Sequence, residues 1–118
     1  MFTLGKVTGQ KLQEVPERRI DDIATELGVS RVDAIKMDIE GSEYEALSGA
    51  NSTIARFKPP ILIELNETAL NGCGSSSYAV KSLLYDHGYS GFRVTSTGLV
   101  PISLATEHEC DECFFRVP

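Results

Sequence analysis

A strand-like segment that runs directly into a helix start constrains the fold of this chain more than any other feature. Apolar and charged residues alternate from Val32 to Ile39, which predicts a β-strand. The alternation ends in Asp38 and Glu40, a glycine follows, and Ser42 and Glu45 form a Ser-x-x-Glu capping box that predicts a helix start. Acidic side chains are thereby held at the carboxyl end of a strand, which is the edge where open α/β sheets bind ligands.

The rest of the chain alternates between helical and extended patterns. Helices are expected over residues 20–27, 42–57 and 77–87, and strands over 61–65, 91–95, 99–104 and 112–117, with a Gly- and Ser-rich loop over 66–76. Two strands joined through a helix imply a parallel pair, and Thr97-Gly98 between the later strands predicts a hairpin. We therefore predict a single α/β domain over residues 1–118 with an antiparallel edge, in which residues 1–15 are extended or flexible.

Composition and charge exclude several partner classes. The net charge is -6 and no run of Lys or Arg occurs, so nucleic acids and anionic membranes are poor partners. The apolar run from Ile61 to Leu65 is far too short to span a bilayer. The chain has three cysteines, an odd number, and no recognisable secretion signal, which predicts a cytoplasmic protein with reduced cysteines.

A family signature lies in two segments, DAIKMDIEGSE at residues 33–43 and ALSGA at residues 46–50. Together they resemble the FkbM-type methyltransferases, in which a Lys-hydrophobic-Asp-hydrophobic-Glu-Gly segment precedes a helix. The strand ILIEL at residues 61–65 and the helix entry at residues 20–23 resemble the neighbouring family segments. The resemblance covers about residues 15–65.

The resemblance implies a partial class I methyltransferase (Rossmann-like) sheet and methyl transfer from S-adenosylmethionine to a hydroxyl of a small-molecule acceptor. Such enzymes hold the cofactor with a Gly-rich turn after the first strand, and none precedes Val32. Gly72-Cys73-Gly74 lies too far beyond Leu65 to serve as that turn. We therefore expect the carboxyl-terminal half of the domain, inactive alone without its cofactor-binding amino-terminal half. The alternative is a non-catalytic α/β module that serves binding or assembly.

Four residues are candidates for the site. Asp38 and Glu64 are the catalytic candidates, because a carboxylate at a strand end can accept the proton of a hydroxyl or coordinate a divalent cation. Glu40 and Asn66 are candidates for binding substrate, and Glu40 or Glu64 could share the cation. Structural alternatives stay open, in which Asp38 and Glu40 bond backbone amides at the helix entry and Glu64 pairs with Lys36.

A second cluster of potential ligands lies near the end of the chain. His108, Cys110 and Cys113 form His-x-Cys-x-x-Cys, and Cys73 could be a fourth zinc ligand. Zinc sites usually carry two such pairs and only one is present, so we favour free thiols near a turn over a metal-binding domain.

Absence of a first strand would leave residues 32–39 as an unprotected sheet edge. Unpaired edges invite strand addition. We expect that residues before Pro16 cover this edge, or that two chains associate there as a homodimer.

Overall fold

A computed structural model describes the backbone of residues 2–7 and 11–16 and all atoms of residues 18–106 and 108–118. The elements are β1 (Phe2–Val7), β2 (Lys11–Pro16), α1 (Ile20–Glu26), β3 (Ile35–Met37), α2 (Glu43–Ser48), α3 (Asn51–Phe57), β4 (Ile61–Leu65), α4 (Glu67–Gly72), α5 (Ser77–Asp86), β5 (Ser90–Thr95), β6 (Gly98–Pro101) and β7 (Cys110–Arg116).

The main sheet has five strands in the order β3-β4-β7-β5-β6. β3 and β4 are parallel, as expected for strands joined through helices, whereas the β4–β7, β7–β5 and β5–β6 pairs are antiparallel. β3, β4 and β5 therefore run in one direction and β6 and β7 in the other. The α/β class and the hairpin are confirmed, but the predominantly parallel pairing is not, because β7 returns from the hairpin and inserts between β4 and β5.

The core lies where the helices cover one face of β4. Ile61, Ile63 and Leu65 are buried there, while the residues between them, Leu62 and Glu64, are half-buried. The continuous apolar run is typical of a strand that is covered on both faces, but only one face of β4 is fully buried. Alternation of this kind places one face of the strand against apolar side chains and leaves the other close to solvent.

The helix expected over residues 42–57 is interrupted, and two short helices, α2 and α3, replace it. The break occurs at Gly49, whose carbonyl oxygen accepts a hydrogen bond of 2.8 Å from the backbone N–H of Asp21. The expected capping box also fails, because the side chain of Ser42 makes no capping hydrogen bond. Packing of α1 against this segment therefore overrides a locally helical pattern.

The loop expected over residues 66–76 contains the short helix α4. Asn66 caps it, accepting a hydrogen bond of 3.0 Å from the N–H of Ala69. The next helix, α5, begins at Ser77 as expected, and the side chain of Ser76 caps it by accepting a hydrogen bond from the N–H of Ala79. The short connection is thus ordered by side-chain caps that composition alone does not reveal.

The amino-terminal strands do not join the main sheet. β1 and β2 pair with each other in a separate antiparallel ribbon, and β4 is the sole ladder partner of β3 within the described residues. The expectation that residues before Pro16 cover the edge strand is therefore wrong for the described backbone. Among the helices described, none is long and apolar enough to cross a membrane.

Candidate functional site

The turn after β3 is organised by Glu43, the first residue of α2. Its carboxylate is 2% exposed and accepts hydrogen bonds from the N–H of Ile39, at 3.1 Å, and from the N–H of Gly41, at 2.9 Å. Glu40 and Gly41 both have positive φ, 46° and 105°. The role of bonding backbone amides here, which the sequence left open for Asp38 and Glu40, thus belongs to Glu43.

Helix α4 lies directly against this turn. A Cβ added at Gly41 would stand 2.4 Å from the carbonyl oxygen of Ala69 and 2.9 Å from the Sγ of Cys73. Only glycine combines the positive φ with so close a backbone approach. The contact fixes α4, and with it the Asn66 cap, over the carboxyl end of β3.

Asp38 and Glu64 lie side by side where β3 and β4 end. Met37 aligns with Ile63 in the parallel register, so the next residue of each strand falls at the same edge. Burial is the largest cause that raises the pKa of Glu64 above its ordinary value. The negative charge of Asp38 raises this pKa further. Smaller increases come from the charge of Asp111, a hydrogen bond with Asp38 and the charge of Glu40, in that order. Glu64 and Asp38 therefore form a carboxyl pair in which Glu64 retains its proton more readily than an isolated glutamate.

A small pocket of about 160 Å³ opens beside this pair, lined by Glu40, Gly41, Glu43, Glu64, Asn66 and Ala69. Three of the four candidate residues thus meet at one pocket. The fourth, Asp38, is exposed next to Glu64 and does not line the cavity. The oxygen of the Asn66 side chain already accepts the capping hydrogen bond of α4, so a second lone pair of this oxygen and the amide N–H₂ group are what the side chain can offer a ligand.

A β-bulge in β7 lies opposite Glu64 of β4, one of the residues that line the pocket. Ile63 pairs with Cys113 and Leu65 with Cys110, so three steps along β7 match two along β4. The extra residue places Cys110 and Cys113, both buried, where they form a disulfide. The interpretation of these cysteines as free thiols is therefore wrong, and a sulfur in a disulfide is not a thiolate ligand.

The other two residues considered as zinc ligands, His108 and Cys73, do not contact the disulfide in any interaction of the described residues. Nδ1 of His108 lies 3.5 Å from a carboxylate oxygen of Glu67, and Cys73 is an exposed free thiol. In the part of the chain whose side chains are described, no group of three or more His, Cys, Asp or Glu residues is arranged to hold a metal ion.

A larger and more open groove of about 560 Å³ runs between α2 and α5, away from the predicted residues. Its lining includes Tyr44, Tyr78 and Asp86, together with Asn51 and His87, which are joined by a hydrogen bond of 2.8 Å. Sequence patterns do not predict this groove, because its lining residues lie on three helices, α2, α3 and α5, that are separate in the chain.

Two carboxylates with structural roles escaped the sequence analysis. Glu43 stands within the signature, but the sequence pattern assigns the helix start to Ser42 and Glu45 instead. Asp21 accepts hydrogen bonds from the first turn of α3, including the N–H of Thr53 at 2.8 Å, although it lies 32 residues away. The signal that could have found Glu43 is its position two residues after a glycine turn. No local signal marks Asp21.

Comparison with known proteins agrees with the signature. The FkbM methyltransferase domain family matches residues 5–90. The AMB antimetabolite synthetase AmbE of Pseudomonas aeruginosa is 28% identical over 72 residues, which cover 61% of this chain and 3% of that protein. No solved structure matches the chain significantly. Since the family match spans most of the sequence and includes the turn and carboxyl pair described above, this chain belongs to the FkbM methyltransferase domain family.

Proposed function

We propose that the chain carries the acceptor side of an O-methyltransferase site, in which the Asp38–Glu64 pair takes up the proton of the hydroxyl that becomes methylated. The family match supports methyl transfer, and S-adenosylmethionine is the methyl donor that the family implies. The observation that carries the assignment is the contact between these two carboxyl groups at the carboxyl edge of the parallel strands.

Proton transfer from a hydroxyl needs a base within hydrogen-bond reach, and the pKa of this base should lie near the working pH. Partial burial, and after it the neighbouring negative charges, raise the pKa of Glu64 in that direction. Two interacting carboxyl groups titrate as a pair, so one ionised member can accept a proton that both then share. In this proposal Glu40, which lines the same pocket, orients the acceptor by accepting a hydrogen bond from it.

The residues at this edge do not fit the cofactor itself. A pocket of about 160 Å³ is smaller than the roughly 300–1,000 Å³ of typical ligand sites. The glycine amide that follows β3, the N–H of Gly41, is engaged by Glu43 and cannot be offered to a ligand. We infer that groups outside the described residues hold the cofactor, and that this chain forms the carboxyl-terminal half of a class I methyltransferase domain.

The carboxyl pair can be tested by NMR titration of the side-chain carboxyl carbons. Asp38→Asn removes a neighbouring negative charge and a hydrogen-bond partner, so the pKa of Glu64 should fall. Asp33→Asn is the matched control, because Asp33 is an exposed carboxylate paired with Arg31 on the approach to the same strand. An unchanged Glu64 pKa in Asp38→Asn would show that the two groups do not interact.

Cofactor binding is tested by calorimetry with S-adenosylmethionine. We expect no saturable one-to-one binding in the micromolar range, which corresponds to about -8 kcal/mol. Micromolar binding would contradict the inferred division of the site, and it would then permit a direct assay of methyl transfer with Glu64→Gln as the comparison. The alternative role, a binding or assembly module, is favoured by two apolar side chains of the α1 region, Ile23 and Leu27, which are 37% and 72% exposed among the described residues.

A further inference from the structure

A third strand brings further carboxylates to the carboxyl pair. The bulge in the ladder between β4 and β7 leaves two residues of β7, Asp111 and Glu112, opposite Glu64. Both are exposed, whereas the cysteines on either side of them are buried. They therefore lie on the same face of the sheet as Glu64, away from the core.

Asp111 is the member of the bulge whose charge acts on Glu64. After burial, the charge of Asp38 raises the pKa of Glu64, the charge of Asp111 raises it next, and that of Glu40 adds a smaller increase. Each of these charges is negative, and Glu112 is not among the causes of the shift. Glu64 thus stands between like charges from β7 on one side and from the end of β3 on the other.

The Cys110–Cys113 disulfide closes the bulge that presents Asp111. Residues three positions apart in a regular strand point to opposite faces, so a bond between these two sulfurs requires the extra residue of the bulge. Both cysteines belong to the hydrophobic core. The bond therefore fixes both ends of the segment that carries Asp111.

The bond contributes little to stability through cross-linking. Stabilisation by a disulfide grows with the length of chain that it closes, and these cysteines are only three positions apart. Ladder pairing with β4 and β5 already holds β7 in the middle of the sheet. The main effect of the bond is consequently local, on the geometry of the bulge.

Reduction frees one end of the bulge more than the other. Cys113 has ladder partners on β4 and β5, whereas Cys110 pairs with β4 alone among the described strands. Two thiols need more room than one disulfide, because sulfur atoms that are no longer bonded separate to van der Waals distance, and a packed core offers none. Cys110 is therefore the residue that shifts, and Asp111 next to it moves away from the like charge of Glu64.

We propose that Asp111 belongs to the site of the carboxyl pair, and that the disulfide beside it makes its position redox-sensitive. In the disulfide form Asp111 is held beside Glu64, and in the dithiol form it is released. The proposal rests on the proposed function for any effect on methyl transfer. The movement of Asp111 itself rests on the bulge and the disulfide alone.

A dithiol reductant is the partner that this step requires. Its thiolate attacks the Sγ of Cys110, which is 5% exposed, rather than that of Cys113, which is fully buried. A mixed disulfide forms, and Cys113 leaves as a thiolate that takes up a proton. The second thiol of the reductant then displaces Cys110, which also takes up a proton, and the reductant closes to its own disulfide.

NMR titration of the Glu64 side-chain carboxyl carbon tests the proposal. The pKa of Glu64 should fall when dithiothreitol reduces the chain and should return after reoxidation with oxidised glutathione. Asp111→Asn should lower the same pKa without reduction, but by less than Asp38→Asn, because Asp38 also forms a hydrogen bond with Glu64. In Asp111→Asn, reduction should cause no further fall. Glu112→Gln is the matched control in the same bulge and should keep both the wild-type pKa and its response to reduction.

Two further measurements separate the switch from other effects of reduction. Thiol titration should count one free thiol before reduction and three after it, and Cys73→Ser removes the exposed thiol that could exchange with the disulfide. Circular dichroism should show that the reduced chain stays folded. Unfolding on reduction would make the bond a structural cross-link and would overturn the proposal.

The proposal is also overturned if three free thiols are present before reduction, or if neither reduction nor Asp111→Asn lowers the pKa of Glu64. A fall on reduction that persists in Asp111→Asn would assign the effect to another group and reject the role of Asp111. Failure of the proposed function has a different signature, since Asp38→Asn itself then leaves the pKa of Glu64 unchanged.

Discussion

Asp21 provides the sharpest test of how this fold is held together. Its carboxylate accepts hydrogen bonds from the N–H of Ser52 at 2.9 Å, and from the N–H and hydroxyl of Thr53 at 2.8 and 2.6 Å. Helix α3 begins at this point, and its own N-cap, Ala50, offers no side-chain acceptor. Asp21 on α1 therefore caps α3 from a distant part of the chain.

The expected loss follows from these contacts. Hydrogen bonds to a charged group contribute about 1.5–3 kcal/mol each, and an N-cap is worth about 0.5–2 kcal/mol. Water can replace part of this at Ser52, which is exposed, so Asp21→Ala should lower the free energy of unfolding by about 2–4 kcal/mol. Asp21→Asn keeps an oxygen for Thr53 but presents an amide N–H₂ to Ser52, and about 1–2 kcal/mol should be lost.

The pH dependence distinguishes the charged cap from simple packing. Burial alone raises the pKa of Asp21, but the Thr53 hydroxyl, the Ser52 and Thr53 amides and the Arg19 charge together hold it below the ordinary value of 3.8. A carboxyl whose folded-state pKa is lowered stabilises the fold fully above its unfolded pKa. That contribution is lost as the pH falls below 3.8 toward the lowered folded value. The difference between wild type and Asp21→Asn should therefore be largest near neutral pH and shrink in acid.

Urea unfolding followed by circular dichroism measures both effects. Asp22→Asn is the matched control, because it removes a charge from the same first turn of α1 where the carboxylate is exposed, and it should change stability by less than about 0.5 kcal/mol. Equal losses for the two asparagine variants, or a loss in Asp21→Asn that does not shrink below pH 3.8, would refute the assignment of Asp21 as the cap of α3.

Two further stability predictions follow from close contacts. Gly41→Ala should lower the free energy of unfolding by more than about 3 kcal/mol, because φ is positive there and the new Cβ would overlap the Ala69 carbonyl. Gly28→Ala is the control, since φ is positive but the space is open, and it should cost about 1–2 kcal/mol. Thermal unfolding compares the two variants. Tyr89→Phe removes a buried hydrogen bond of 2.6 Å to the carbonyl of Pro59 and should cost about 1–2 kcal/mol. Burial raises the pKa of Tyr89 to about 12. The neutral phenol therefore stabilises the fold fully below pH 10, the ordinary pKa, and this stabilisation is lost as the pH rises through 12. In Tyr89→Phe, the free energy of unfolding should no longer show this fall at alkaline pH.

Sequence patterns predicted the elements whose partners lie nearby in the chain. The β4 strand, the β5–β6 hairpin and the position of β7 all follow from local alternation and turn residues, and the structure confirms them. The interruption between α2 and α3 could not be foreseen, because the group that caps α3 is Asp21 on another helix. A helical pattern states which residues favour a helix, while tertiary contacts decide where it stops.

The loop expected at residues 66–76 failed for a related reason. Its Gly and Ser content argues against a helix, and six residues are too few for an isolated helix to be stable. Helix α4 forms because Asn66 caps it and because its backbone packs on Gly41 across the sheet edge. The expectation for Cys110 and Cys113 failed similarly, since only the bulge brings residues three apart in a strand to one side.

The acidic signature divides into two kinds of carboxylate, and strand geometry explains the division. Glu43 turns inward and satisfies the amides of the turn, so the backbone there needs nothing from Asp38 or Glu40. Asp38 follows the last ladder residue of β3 and lies on the same face of the sheet as Lys36. The parallel register places Glu64 of β4 next to Asp38. A negative charge placed next to a half-buried carboxyl group is unfavourable for folding alone. The turn is already complete without that pair, so the pair is not needed to hold the backbone there, and the role proposed for it above would account for the cost.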